Sequence, residues 1–105
     1  MQRGDVIEFR PMPSRGHEQH DKRYGVVVQS DDFLPRSTVL VAPTSTRARP
    51  ATFRPEADLL GVTTRIMVEQ LAAIDTSRLG NSVGRLTTSE QWAVDDALEL
   101  ILGPR

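Results

Sequence analysis

Cysteine is missing from this sequence. Its absence excludes disulfides, thiolate metal sites and cysteine nucleophiles together, and it fits a reducing cytoplasm. Histidine is nearly missing: only His17 and His20 occur. Long apolar runs are missing too. The longest span only a few residues and no apolar signal region opens the chain, so nothing is expected to cross a membrane. An excess of one charge is also lacking. The formal net charge is −1, which argues against a basic protein that coats nucleic acid. No internal repeat or low-complexity segment is visible.

What is present suits one small domain, residues 1–105. A core of that size leaves a thin stability margin, so burial between two copies is expected to help. The charges are unevenly placed. Residues 1–54 hold nine Lys/Arg and six Asp/Glu; residues 55–105 hold four and eight. A basic half beside an acidic half can focus a polyanion on one surface, although short segments often differ this much by chance.

Strands dominate the pattern. Arg3–Phe9 reads as a first strand around Val6 and Ile7. Residues 10–22, with Pro11, Pro13 and Gly16, read as a long exposed loop. Val26, Val27 and Val28 centre a buried strand over Arg23–Ser30, because consecutive β-branched residues favour a strand covered on both faces. Residues 31–36 read as a turn. Thr38–Ala42 reads as a second buried strand that Pro43 ends, followed by a polar, basic loop from Thr44 to Arg49. Ala51–Arg54 reads as a short edge strand and residues 55–64 as a connection. Residues 66–74 give one bent strand or two short ones. Asp75–Gly80 reads as one helical turn and Ser82–Leu86 as a last short strand.

The end of the chain carries the clearest signal. Thr87 and Glu90 form the Thr-x-x-Glu pattern of a capping box. Ala93, Val94, Ala97, Leu98 and Ile101 then share one helical face, and Gly103-Pro104 stops the helix. Trp92 falls toward the acidic face with Asp95, Asp96 and Glu99, and is expected to fold over a neighbouring strand in preference to forming a partner site. The fold class that follows is mainly β with α: a compact, partly closed β-barrel with short helices and a C-terminal helix.

Chemistry-bearing residues concentrate in His17-Glu18-Gln19-His20-Asp21-Lys22-Arg23. A helical zinc motif needs two His four apart, whereas His17 and His20 are three apart in a proline-led loop, so no metal is expected. Phosphodiester chemistry suits the set better. Cleaving RNA without metal needs a base for the 2′-OH, a cation for the developing phosphorane and an acid for the leaving oxygen. An arginine matches phosphate oxygens with a permanent charge. His17 or Glu18 could move the proton, and Thr44 or Ser45 could donate to a phosphate oxygen. Each also has a bland reading, as a solvated side chain or a turn cap.

An ordered set of short motifs narrows the choice. Arg3-Gly4-Asp5-Val6-Ile7, Gly16-His17-Glu18-Gln19, Arg23 before a Val-rich strand, and Val39-Leu40-Val41-Ala42-Pro43-Thr44-Ser45 come first. Glu69-Gln70, Ala73-Ile74-Asp75, Arg78-Leu79-Gly80 and Gly84-Arg85-Leu86 follow. The set resembles the MazF/PemK/Kid toxins over nearly the whole chain. That resemblance implies an SH3-like barrel and metal-independent, sequence-selective cleavage of single-stranded RNA, mainly mRNA. The ends would be 2′,3′-cyclic phosphate and 5′-OH. It implies a cytoplasmic homodimer with no cofactor, blocked by a MazE-like antitoxin through an acidic tail.

Carried over by position, the catalytic set is Arg23, Thr44, His17 and Glu18. The RNA-binding set is Gln19, Lys22, Tyr24, Ser45, Arg47, Glu69 and Gln70. Three features depart from the family pattern, one being the absence of an arginine that one branch carries near Met67. Tyr24 stands where the family has proline, adding a ring that can stack on a base or pack, and Ala72 stands where a basic residue is common. A binding toxin of the CcdB type, which docks on DNA gyrase without chemistry, is the rival on the same scaffold; an inactive paralogue is the third reading. The retained Gly16–Gln19 loop, Arg23 and Thr44 favour the nuclease.

Overall fold

A computed structural model describes residues 1–9, 23–33 and 37–103. The expected loop with His17, Glu18, Gln19 and Lys22 lies outside them. Among the described residues seven strands form one antiparallel sheet: β1 Asp5–Phe9, β2 Arg23–Val27, β3 Thr38–Ser45, β4 Glu56–Leu59, β5 Val62–Ile66, β6 Ala72–Asp75 and β7 Leu79–Arg85. Helix α1 spans Thr88–Leu102. Three 3₁₀ turns, at Asp31–Phe33, Val68–Gln70 and Thr76–Arg78, join them.

The sheet order is β4-β5-β3-β2-β1-β7, with β6 also paired to β3. The eight-residue β3 therefore serves two partners. Thr38–Val41 pair with β6, and Thr44–Ser45 pair with β5. That change of partner curls the sheet into a half-barrel, and it corrects the expectation that Pro43 ends the strand. A residue's N–H and C=O point the same way along a strand, and the Pro43 carbonyl accepts from Met67 N–H at 2.8 Å. The proline nitrogen thus faces the gap between the β6 and β5 ladders, where no ladder N–H is needed.

Both faces of β2 are buried at Val26 and Val27 and those of β3 at Val41 and Ala42, but Thr38 and Leu40 of the expected buried strand are exposed. Val6, Val26, Ala42, Ile66, Val68, Leu86, Val94 and Ala97 belong to one core beneath α1. Ile7, Val27, Val39, Val41 and Ile74 form a second on the other face. Alternation along each strand sends Val26 and Val27 to different cores, which is why the runs read as continuous apolar stretches.

Further expectations change, and the stretch 66–74 is split by the Val68–Gln70 turn. Ala51–Arg54 is a turn, with Arg54 N–H donating to the Ala51 carbonyl at 3.0 Å, and not an edge strand. Residues 56–66 are a β-hairpin and not a connection. Its two turn residues, Leu60 and Gly61, both have positive φ, 55° and 80°, as a tight hairpin requires. Leucine is a poor residue for that conformation, so the usual Asn-Gly signal is missing. Residues 76–78 do form the expected turn, but Gly80 lies inside β7, which starts at Leu79.

The C-terminal helix forms as its capping box predicts. The Thr87 hydroxyl accepts from Glu90 N–H at 3.2 Å, and Glu90 Oε1 accepts from Thr87 N–H at 2.9 Å. Glu90 Oε2 also accepts from Asp58 N–H at 2.9 Å, fastening the β4–β5 hairpin to the helix. Val94 and Ala97 are buried, while Ile101, in the last turn, is left 38% exposed. Trp92 does not fold over a strand. It is 65% exposed, because it follows the acidic face outward.

Burial opposes ionisation of Glu90, but the backbone donors of Thr87 and Asp58 outweigh it and hold the carboxyl below its usual value. A lowered carboxylate pKa stabilises the fold above the unfolded-state value, about 4.3. The contribution fades as pH falls through the folded-state value. Glu90→Gln should therefore melt below wild type at neutral pH, with the gap closing on acidification. Thermal melts from neutral to acidic pH check this; a gap that is constant or widens in acid would contradict it.

Candidate nucleic-acid interface

The β2–β3 ladder ends at Gly25 opposite Pro43. A β-carbon on Gly25 would press into Val41 Cγ1 of β3 and lie 3.2 Å from the Phe9 ring, so only glycine allows the strands this close. Beyond the last rung, Thr44 Oγ1 donates to the Tyr24 carbonyl at 2.9 Å. On its other side Thr44 pairs with Ile66 of β5. Thr44 is thus held from both edges at the open end of the ribbon.

Arg23 opens β2, opposite Phe9 of β1, and is half-buried. Among the described residues no carboxylate pairs with its guanidinium. Tyr24, next to it, packs against the core beneath α1, which favours the packing role over the stacking one. Ser45 Oγ accepts from Arg47 N–H at 3.0 Å, turning the chain directly after β3. The Met67–Pro43 hydrogen bond docks the Val68–Gln70 turn beside this end. Arg23, Tyr24, Thr44, Ser45, Glu69 and Gln70 are therefore gathered at one end of the barrel, and Arg47 follows in the adjoining loop. Among the described residues no group of three or more His, Asp or Glu is placed to hold a metal.

Glu69 is not solitary. Arg54 Nε donates to its Oε1 and Oε2 at 3.2 and 3.0 Å, and Arg54 Nη2 donates to Oε2 at 2.8 Å. These bonds raise the Arg54 pKa above its ordinary value. Sequence reasoning missed Arg54. The pair is 15 residues apart and no local pattern announces it.

Pairing also redraws the charge map. Arg3 binds Asp95, Arg54 binds Glu69, Arg65 binds Glu56 and Arg85 binds Asp5. Acids of the second half thus neutralise Arg3 and Arg54 of the basic half. Arg23, Arg47 and Arg49 remain without a side-chain partner among the described residues, and the last two are exposed. The net-basic character of residues 1–54 survives at this end of the barrel.

The sequence model of PemK-like, MazF-like toxins of type II toxin–antitoxin systems matches residues 2–102. The chain belongs to this toxin family. A candidate toxin of Mycobacterium tuberculosis is 42% identical to this toxin over 90 residues, covering 85% of this chain and 84% of that one. Endoribonuclease MazF9 of the same organism is 31% identical over 115 residues, covering 97% and 96%. The MazE–MazF crystal structure from Deinococcus radiodurans shares the fold, with a TM-score of 0.83 at 20% identity over 100% of this chain and 97% of that one. The mainly-β half-barrel with a C-terminal helix is thus the MazF architecture, as expected from the strand pattern. No helix among the described residues of this toxin is long and apolar enough to cross a membrane.

Proposed function

We propose that this toxin is a metal-independent endoribonuclease that cleaves single-stranded RNA, mainly mRNA, in a sequence-selective way. The observation that carries the reading is Arg23: a guanidinium without an ionic partner among the described residues, at the barrel end where Thr44 is fixed. The relative named as an endoribonuclease, 31% identical over 97% of this chain, supports it.

In this mechanism the RNA supplies its own nucleophile. The 2′-oxygen attacks the adjacent phosphorus, the bond to the 5′-oxygen breaks, and the products end in 2′,3′-cyclic phosphate and 5′-OH. Attack is intramolecular, so little entropy is lost in reaching the transition state. His17 or Glu18 takes the 2′-OH proton, and a protonated partner returns one to the leaving oxygen. Arg23 grips the phosphorane oxygens with two parallel N–H bonds. Thr44 already gives its hydroxyl proton to the Tyr24 carbonyl, so toward the substrate its oxygen accepts, as from the 2′-OH, and the expected donation to a phosphate oxygen falls to Ser45. Gln19, Lys22, Ser45, Arg47, Glu69 and Gln70 contact the flanking RNA.

The toxin acts in the cytoplasm as a homodimer, the small core being completed by a second copy. A MazE-like antitoxin inhibits it, as the Deinococcus MazE–MazF pairing suggests, by laying an acidic tail on the unpaired arginines. The test is incubation of purified toxin with a long RNA in excess EDTA, followed by mapping of the cut ends. Cuts at a recurrent short sequence, bearing 2′,3′-cyclic phosphate, are expected. Loss of cleavage in EDTA with recovery in magnesium would overturn the reading.

A further inference from the structure

Arg47 and Arg49 lie in the loop that leaves β3 directly after Thr44 and Ser45. Their guanidiniums are exposed and unpaired among the described residues, yet their backbone is held firmly. Arg54 Nη1 donates to the Arg49 carbonyl at 3.0 Å. Arg65 Nη1 donates to the Ala48 carbonyl at 3.1 Å. Each of these arginines is itself anchored, Arg54 by Glu69 on the 3₁₀ turn and Arg65 by Glu56 across the β4–β5 hairpin. Arg54 also lies over the Phe53 ring, 5.6 Å from its centroid, and Phe53 packs on the core. Ser45 holds the other end of the loop through Arg47 N–H. An extended segment that only linked β3 to β4 would not need three side chains to fix its carbonyls and amides.

We propose that residues 46–49 form a preorganised phosphate-gripping loop, in which Arg49 joins Arg47 as an RNA contact and Arg54 is the positioning residue that holds it. The proposal rests on the nuclease reading above and assigns roles that the resemblance did not supply. Arg54 does not reach the RNA. It acts through the Arg49 backbone, using the Glu69 carboxylate as its fixed point. Preorganisation spares the ordering cost of a flexible basic loop, so it strengthens binding without touching the reacting atoms. The loop's effect therefore lies in KM and leaves kcat alone.

The test measures binding of a single-stranded oligodeoxyuridylate, which offers phosphates but no 2′-OH, across a salt series. Each phosphate contact contributes about 0.7 to the slope of log affinity against log salt on a single strand. Arg49→Met is expected to lower the slope by about that amount and to weaken binding roughly 5-fold. Arg54→Met, which keeps bulk over Phe53, should lower the slope similarly although Arg49 is intact, and the double variant should be no worse than either. Arg54→Lys keeps a charge for Glu69 but not the fork that also reaches the Arg49 carbonyl. It should fold normally and still lose the slope. On cleavable RNA all three should raise KM with kcat unchanged.

A normal slope in Arg54→Lys and Arg54→Met, beside a reduced one in Arg49→Met, would overturn the positioning role. A normal slope in Arg49→Met would overturn the contact itself. A wild-type protein that binds the oligonucleotide without salt dependence would overturn this proposal and leave the nuclease reading to the cleavage assay. A wild type that binds with a steep slope but cuts no RNA would overturn the nuclease reading alone, the variant slopes still deciding this proposal.

Discussion

Arg23→Ala should lose RNA cleavage by about 10²-fold or more, because a preorganised cation aimed at developing charge carries an effect of that size. The substitution removes no ion pair that the described structure relies on, and Arg23 sits at the first position of β2, on the terminal rung of the β1–β2 ladder opposite Phe9. The fold should therefore survive. Arg23→Lys should be nearly as poor, since one ammonium cannot grip two phosphate oxygens in parallel. Single-turnover cleavage at saturating protein, beside a thermal melt of each variant, separates chemistry from stability. Wild-type rates in Arg23→Ala would remove this residue from the mechanism.

The second large effect concerns stability. Ile66 is fully buried beneath α1, its N–H donates to the Pro55 carbonyl at 2.9 Å, and it stands opposite Thr44. Ile66→Ala leaves a cavity and should cost about 2–5 kcal/mol. Small domains have only about 5–15 kcal/mol in total, so the variant should approach unfolding at growth temperature. Ile66→Val should cost about 0.5–1.5 kcal/mol. Denaturant unfolding of the three proteins checks the series. Equal midpoints for Ile66→Ala and wild type would mean that this core is not the one that holds the site. Comparison with Arg23→Ala is informative: one variant should fail by losing its fold, the other by losing its chemistry.

Sequence legibility followed the range of the interactions. The strands around Val26-Val27-Val28 and Val39-Leu40-Val41 are readable because β-branched residues favour strands, although Leu40 between the two buried valines is exposed. The helix from Thr88 was readable because its cap lies within four residues of chain. The β4–β5 hairpin was not, because Leu60 supplies a positive φ that leucine ordinarily avoids. Pro43 misled for a related reason: its tolerance depends on β3 changing partners, a property of three strands and not of one. Trp92 showed the limit of expecting every large ring to find cover. Of the candidate site, Arg23, Thr44, Ser45 and Gln70 are candidates from motif order. Arg54 and Arg65 came only from the structure, since their partners lie 15 and 17 or 9 residues away.

The proposed mechanism depends above all on the 2′-oxygen as nucleophile. The most direct measurement uses two oligonucleotides that share a mapped cut site. One is all RNA. The other carries a single deoxynucleotide immediately 5′ to the scissile phosphate. Both should bind the toxin alike, because phosphates and bases are unchanged. The all-RNA strand should be cut in excess EDTA, and the substituted strand should remain whole and inhibit cleavage of the first. Cleavage of the substituted strand at the rate of all-RNA would show that another nucleophile does the work, and would contradict the mechanism built on Arg23 and Thr44.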